Sequence, residues 1–265
     1  MPLASSSSGN CTIVETRETR IIIDIGISFK QFLAHLQNFE LQLEQFSRLY
    51  ITHAHSDHVS GLATFLKRSH IPVYTRAKTQ QVLFRKYPEL RALNERFKLI
   101  DKPVCQEKDL KIRYFRLPHI GWVNKPEEDT GEHIGFLFEC QDQRFSFMTD
   151  CGHLSDGVKE IIKDSQVFFI ESNYDPDMQI KSSRPWPLKK RIMGDEGHLS
   201  NFQTADYLLE LTDEHKTKHV FLAHMSKQCN TKDLAVSTIL NKFREHNRQP
   251  ALKIHTELPK RYFIS

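Results

Sequence analysis

The chain has 265 residues, of which 39% are hydrophobic, and 37 Lys and Arg against 33 Asp and Glu give a formal charge of +4. Five widely spaced cysteines without a C-x-x-C pair argue against a disulfide framework and for a reducing compartment. No apolar run approaches the ~20 residues of a membrane helix, and the opening M-P-L-A-S-S-S-S-G-N shows no secretory signal, so a soluble cytoplasmic protein is expected.

In chain order, the serines at 5–8 read equally well as a flexible tail or as a short first strand and loop. The β-branched run at 21–25 predicts a buried strand. Ser28 with Gln31 makes a capping box, and Phe29, Phe32, Leu33 and Leu36 follow at helical spacing. A strand is expected over 46–52, a helix through Val59, Leu62 and Leu66 stopping before Pro72, a strand at 71–74 and a helix over 76–87. Residues 110–117 alternate apolar and basic, as a half-solvated strand does, and deliver His119 at their end. A hairpin is expected from 134–140 and 144–149, ending at Asp150. Buried strands at 167–171 and 219–223 end near Asn173 and His224. Helices are expected over 156–164, 201–212 and 231–245, the second opened by a capping box of Ser200 and Gln203. This alternation predicts an α/β layered fold, with 1–265 as one domain.

The stretch L-Y-I-T-H-A-H-S-D-H-V at 49–59 is the most informative one. Side chains two apart on a strand point the same way, so His53 and His55 can grip one ion. The chain then turns, and Asp57 and His58 open a helix that can face a second. Asp24, His53, His119, Asp150 and His224 each follow an apolar, strand-like run. Strand ends gather along sheet edges, so these scattered donors can converge on one metal-binding cleft.

With those donors, H-A-H-S-D-H resembles the signature of the metallo-β-lactamase superfamily. S-G-N at 8–10, I-D-I-G at 23–26, T-D-C-G-H at 149–153, E-S-N-Y-D at 171–175, G-H-L-S-N at 197–201 and L-A-H-M-S-K at 222–227 resemble one branch, the YycJ/WalJ group of bacterial 5′-3′ DNA exonucleases. The resemblance implies a four-layer αββα sandwich with two divalent metals. It implies His53, His55 and His119 on the first metal, Asp57, His58 and His224 on the second, and Asp150 bridging both. Asp57 would also be catalytic. Asp24 reads either as an outer carboxylate orienting a histidine or as a turn residue. Imidazole and carboxylate suit zinc, manganese and iron alike.

Two positions depart from the group's pattern. His119 lacks the aspartate that usually follows, and an inserted acidic segment at 120–134 precedes Gly135 and Phe136, with Asp129 as a candidate replacement. His133 rivals His119 for the ligand role, and the strand-end placement favours His119. Cys151 stands where threonine is usual and reads as an inert small residue, with a modulating role at the site as the alternative.

Paired metals would lower the pKa of a bridging water and neutralise phosphodiester charge, but they would also attack an amide or thioester. Substrate choice is read from K-S-S-R-P-W-P-L-K-K-R at 181–191, which has five cations and no acid. Lys189, Lys190 and Arg191 can attract phosphates, and Trp186 can stack on a base; a plain solvated loop with Trp186 in the core is the other reading. His198 can donate a proton to the leaving alkoxide. Ser200 and Asn201, at a helix start, can offer N–H groups to phosphate, or Ser200 can simply cap. Asn173, with Glu171, can line the cleft or shape a turn. Together with these residues, the resemblance to the YycJ/WalJ group implies a metal-dependent 5′-3′ DNA exonuclease. The alternatives are an RNA-processing nuclease, a small-molecule hydrolase, or a metal-bound nucleic-acid-binding regulator.

Overall fold

The computed structural model describes residues 1–6, 8–119, 129–213, 215–249 and 252–257. They fall into two compact units, one of Met1–Ile112 with 129–134, the other of Arg113–His119 with Gly135–Glu257.

The first unit holds a six-stranded sheet in simple sequence order: β1 Pro2–Ser6, β2 Gly9–Glu15, β3 Arg20–Ile23, β4 Arg48–Tyr50, β5 Val73–Thr75 and β6 Phe97–Leu99. The first three strands are antiparallel, and β3 to β6 are parallel. Parallel neighbours need long crossovers, supplied here by α1 Phe29–Asn38, then α2 Ser56–Val59 with α3 Leu62–Arg68, then α4 Ala77–Lys86. Ile21, Ile22, Ile23 and Ile25 are all buried, which is why this run shows no polar alternation. The predicted capping box is present: Gln31 N–H donates to Ser28 Oγ at 3.2 Å, and Ser28 N–H to Gln31 Oε1 at 3.1 Å. Phe32 then packs edge-on against Phe65 with ring centres 5.9 Å apart.

Of the two readings of the opening serines, the strand is observed. Ser5 and Ser6 pair with Asn10 and Gly9, and Asn10 Oδ1 accepts from Ser6 N–H at 3.1 Å. Backbone ladder bonds hold this hairpin, so no apolar alternation is needed to form it. Downstream, the segment after β3 passes very close to the helix that opens the histidine cluster. A Cβ on Gly26 would lie 1.6 Å from the Asp57 carbonyl oxygen and 2.8 Å from Asn10 N.

In the second sheet the order is β13–β12–β11–β10–β9–β8–β7. The strands are β7 Val104–Glu107, β8 Leu110–Arg116, β9 Ile134–Cys140, β10 Gln143–Met148, β11 Val167–Glu171, β12 His219–Ala223 and β13 Lys253–His255. β9 and β10 form the expected hairpin, and β10 to β13 are parallel. Phenylalanines stack across neighbouring strands, Phe147 on Phe169 at 4.8 Å with ring planes 4° apart. The helices are α5 Asp156–Ile162, α6 Pro176–Lys181, α7 Trp186–Ile192, α8 Asn201–Leu211 and α9 Lys232–Glu245.

One expectation is corrected here. The basic stretch at 181–191 is not a loop: it ends α6 and builds α7, with Pro187 in the first turn. Proline fits there because the N–H it lacks has no intrahelical partner anyway. Among the described residues no helix is long and apolar enough to cross a membrane.

Candidate metal centre

In the first unit the donors gather behind β3 and β4. β3 is followed directly by Asp24, whose backbone is left-handed with φ 60°, and its carboxylate turns in among buried groups. Asp24 Oδ1 accepts from Thr52 N–H at 2.8 Å, and Oδ2 accepts from Thr52 Oγ1 at 2.8 Å and from His58 Nδ1 at 2.7 Å. Thr52 Oγ1 in turn accepts from His53 Nδ1 at 3.0 Å. These bonds place the proton of both rings on Nδ1, so each Nε2 carries the lone pair a metal requires. His53 Nε2 lies 3.0 Å from His55 Nδ1, two ring nitrogens converging on one point. Asp57 Oδ2 lies 3.5 Å from His58 Nε2, and Asn10 Nδ2 donates to Asp57 Oδ2 at 3.0 Å. Burial pushes the Asp24 carboxyl above its usual range, against the opposing pull of His58 and Thr52.

A second carboxylate plays the matching part in the other unit. Glu171, at the end of β11, is fully buried. Its Oε1 accepts from His198 Nδ1 at 2.7 Å and from His224 Nδ1 at 2.8 Å, and its Oε2 from Cys151 N–H at 3.1 Å and Leu199 N–H at 3.2 Å. Asp150, Glu171, His198 and His224 have donor atoms within 4.8 Å of one another. Burial alone would raise the Glu171 carboxyl, but His198 and His224 outweigh it and hold it below its ordinary range. Asp150 and His224 are also left-handed, with φ 55° and 50°. Asn173 Nδ2 donates to the His224 carbonyl at 2.7 Å. His119 Nδ1 donates to Gly197 O at 3.0 Å, and its ring lies 5.1 Å from that of His198. Burial, helped by His198, pushes His119 down to about 4, so it is a neutral donor at ordinary pH. The donor chemistry on both units suits a divalent metal: neutral imidazoles oriented from behind, with carboxylates beside them.

The expected residues thus divide by unit. His53, His55, Asp57 and His58 gather around Asp24 in the first, and His119, Asp150, His198 and His224 gather in the second. His133 is buried in the first unit with its ring stacked on His53 at 4.3 Å. Asp129 is held by Arg85 Nη2 at 3.0 Å and by Gly131 N–H at 3.0 Å, while 120–128 of the inserted segment lie outside the described residues. Cys151 is fully buried.

The backbone role expected of Ser200 and Asn201 is corrected. Ser200 N–H donates to Gln203 Oε1 at 2.9 Å and Asn201 N–H to Tyr174 O at 2.9 Å, so neither is available to a phosphate. The Asn201 side chain is fully buried between Ser172 and Asn230. Lys189 Nζ donates to Ile180 O at 2.7 Å, Lys190 is exposed and Arg191 half-buried. Sequence reasoning did not assign Glu171 its orienting role, nor Thr52 and Asn10 theirs. For Glu171 the signal was a carboxylate closing an apolar strand two residues before Asn173.

Residues 19–225 match the family described as the β-lactamase superfamily domain. The chain belongs to the metallo-β-lactamase superfamily. It is 32% identical to exodeoxyribonuclease YycJ of Bacillus anthracis, over 97% of this chain and 94% of the relative. It is 29% identical to exodeoxyribonuclease WalJ of Streptococcus pneumoniae serotype 2, over 92% of this chain and 87% of the relative. Among solved structures it resembles unliganded yeast PDE1 at TM-score 0.69 and 14% identity, over 97% of this chain and 96% of that one. The resemblance to PDE1 establishes the fold, a metallo-β-lactamase fold of two sheets and flanking helices.

Two outcomes follow from this arrangement. Asp24→Asn turns a donor toward another donor behind His58 or Thr52; metal affinity should fall roughly 10- to 100-fold, read by competition with a chelator while the circular dichroism holds. The second concerns pH. His119 stays neutral in the fold down to about 4, against an ordinary value of 6.5, so below 6.5 the unfolded chain takes up a proton that the fold refuses. Metal-free protein should therefore lose stability as pH falls from about 6.5 to about 4, and His119→Gln should lose less over that window in denaturant titrations.

Proposed function

We propose that the chain is a metal-dependent phosphodiesterase acting as a 5′-3′ DNA exonuclease in the cytoplasm, with 1–265 working as one catalytic domain. The observation that carries this reading is the pair of buried carboxylates, Asp24 and Glu171, each fixing two imidazoles from behind. The near full-length likeness to two exodeoxyribonucleases supports DNA as the substrate.

In this reading His53, His55 and His119 would hold one divalent ion, Asp57, His58 and His224 would hold another, and Asp150 would serve both. Zinc or manganese fits the nitrogen and oxygen donors, and iron is compatible. When bound, the ions would lower the pKa of a water between them and neutralise charge on the scissile phosphate. Asp57 sits beside His58 and, steadied by Asn10, orients the attacking water. His198 is partly exposed, with its side chain at 19%, and Glu171 ties up its Nδ1. Its Nε2 can therefore face the substrate and deliver a proton to the leaving alkoxide, while Glu171 holds the ring in orientation. α7, with Lys189, Lys190 and Arg191, offers positive charge to the strand's phosphates, and Asn173 keeps the His224 loop in place.

The decisive assay presents metal-reconstituted protein with 5′-labelled DNA, the same strand as RNA, and a chromogenic lactam. Mononucleotide release from the DNA 5′ end is expected, and it should vanish in Asp57→Ala with His58→Ala while the fold persists. Cleavage of RNA alone, or DNA cleavage that survives the double substitution, would reject the reading. His198→Ala should lower the rate on DNA by about 10²- to 10⁴-fold. It should slow a p-nitrophenyl phosphodiester far less, because that leaving group needs no proton; equal losses on both would remove His198 as the acid.

A further inference from the structure

The short link between α6 and α7 and the first residue of α7 supply two side chains that the proposed reaction leaves unused. Arg184 donates from Nε to Gln228 Oε1 at 3.3 Å, from Nη1 to Gln179 Oε1 at 3.2 Å and from Nη2 to Ser226 Oγ at 3.3 Å. Among the described residues all its partners are neutral, so the guanidinium is fixed in place with its charge uncompensated. Gln179 is fully buried, which makes this a rigid mount. The mount also connects to the metal-ligand loop. Ser226 N–H donates to Asn173 O at 2.8 Å, and Asn173 Nδ2 to His224 O at 2.7 Å. Two positions further on, Trp186 is 58% exposed at the start of α7, outside the core cluster of Tyr174, Ile192 and Cys229 beside it.

We infer that Arg184 and Trp186 form a grip for an unpaired nucleic-acid strand, Arg184 taking a backbone phosphate and Trp186 stacking on a base. The inference rests on the nuclease reading and narrows its substrate. Arg184 spends three of its five N–H donors on its mount, and the remaining two suit a phosphate oxygen. Two residues of chain span at most ~7 Å, so Arg184 and Trp186 lie within reach of one short stretch of strand. An indole needs a bare base face, which a duplex offers only at its ends. An unpaired strand offers one at every nucleotide.

The test uses the metal-loaded full chain and a short phosphorothioate oligothymidylate, read by tryptophan emission and by affinity over a range of salt. The parent's emission should be quenched on binding, and Trp186→Phe should remove most of that quench. Trp186→Ala should weaken binding roughly tenfold. Arg184→Gln should reduce the salt slope by about one, with bound metal unchanged as the sign of an intact fold. Parent affinity in Trp186→Ala, an unaltered slope in Arg184→Gln, or blunt duplex bound as tightly as the single strand would each overturn the grip. Trp186 is exposed, so its variants keep the test open even if position 184 tolerates no change. Binding that follows these rules with no cleavage of the unmodified oligothymidylate would sink the nuclease reading and leave the grip standing; cleavage of it without them would do the reverse.

Discussion

A buried carboxylate is costly unless donors surround it, and Asp24 is 1% exposed. Three hydrogen bonds meet it, from Thr52 N–H, Thr52 Oγ1 and His58 Nδ1, each worth ~1.5–3 kcal/mol to a charged acceptor. Satisfying Asp24 therefore fixes the tautomer of His58 directly and of His53 through Thr52. Glu171 meets the same requirement with two imidazoles and two backbone N–H groups. In each unit, the demand of one desolvated acid decides which nitrogen of the neighbouring histidines faces outward.

The strand ends carry a second constraint. Asp24, Asp150 and His224 all adopt left-handed backbone, a conformation costly for most side chains but several-fold enriched in Asp and His. Each stands where a buried strand breaks off. The kink turns the side chain out of the strand's alternation and toward its partners. Side-chain chemistry and backbone geometry thus coincide: carboxylate and imidazole residues, the types suited to a metal site, are among the few that tolerate the bend.

Much of this was legible in the residues. The strands at 167–171 and 219–223 matched their observed bounds, because uninterrupted apolar runs flanked by polar residues leave little ambiguity. Both capping boxes were legible for the same local reason. The opening hairpin was not, since its pairing rests on backbone bonds that leave no periodic trace. α7 was hidden by prolines, which read as loop until one sits in a first turn. The histidine cluster announced itself by spacing. Glu171, a single carboxylate among the 33 acidic residues, became distinct only when the fold placed His198 and His224 against it. Ser200 and Asn201 showed the opposite failure: the helix start was read correctly, but Gln203 and Tyr174 already occupy the N–H groups expected to serve a ligand.

Gly26 places a limit on how this sequence can drift. Its missing side chain is filled by the Asp57 carbonyl, 1.6 Å from where a methyl group would stand. Even the smallest replacement must push that peptide aside, and Asp57 and His58 with it. A lineage could change position 26 only by rebuilding the turn that presents both side chains. In descendants that keep the aspartate–histidine pair, glycine should persist there even though it touches no substrate.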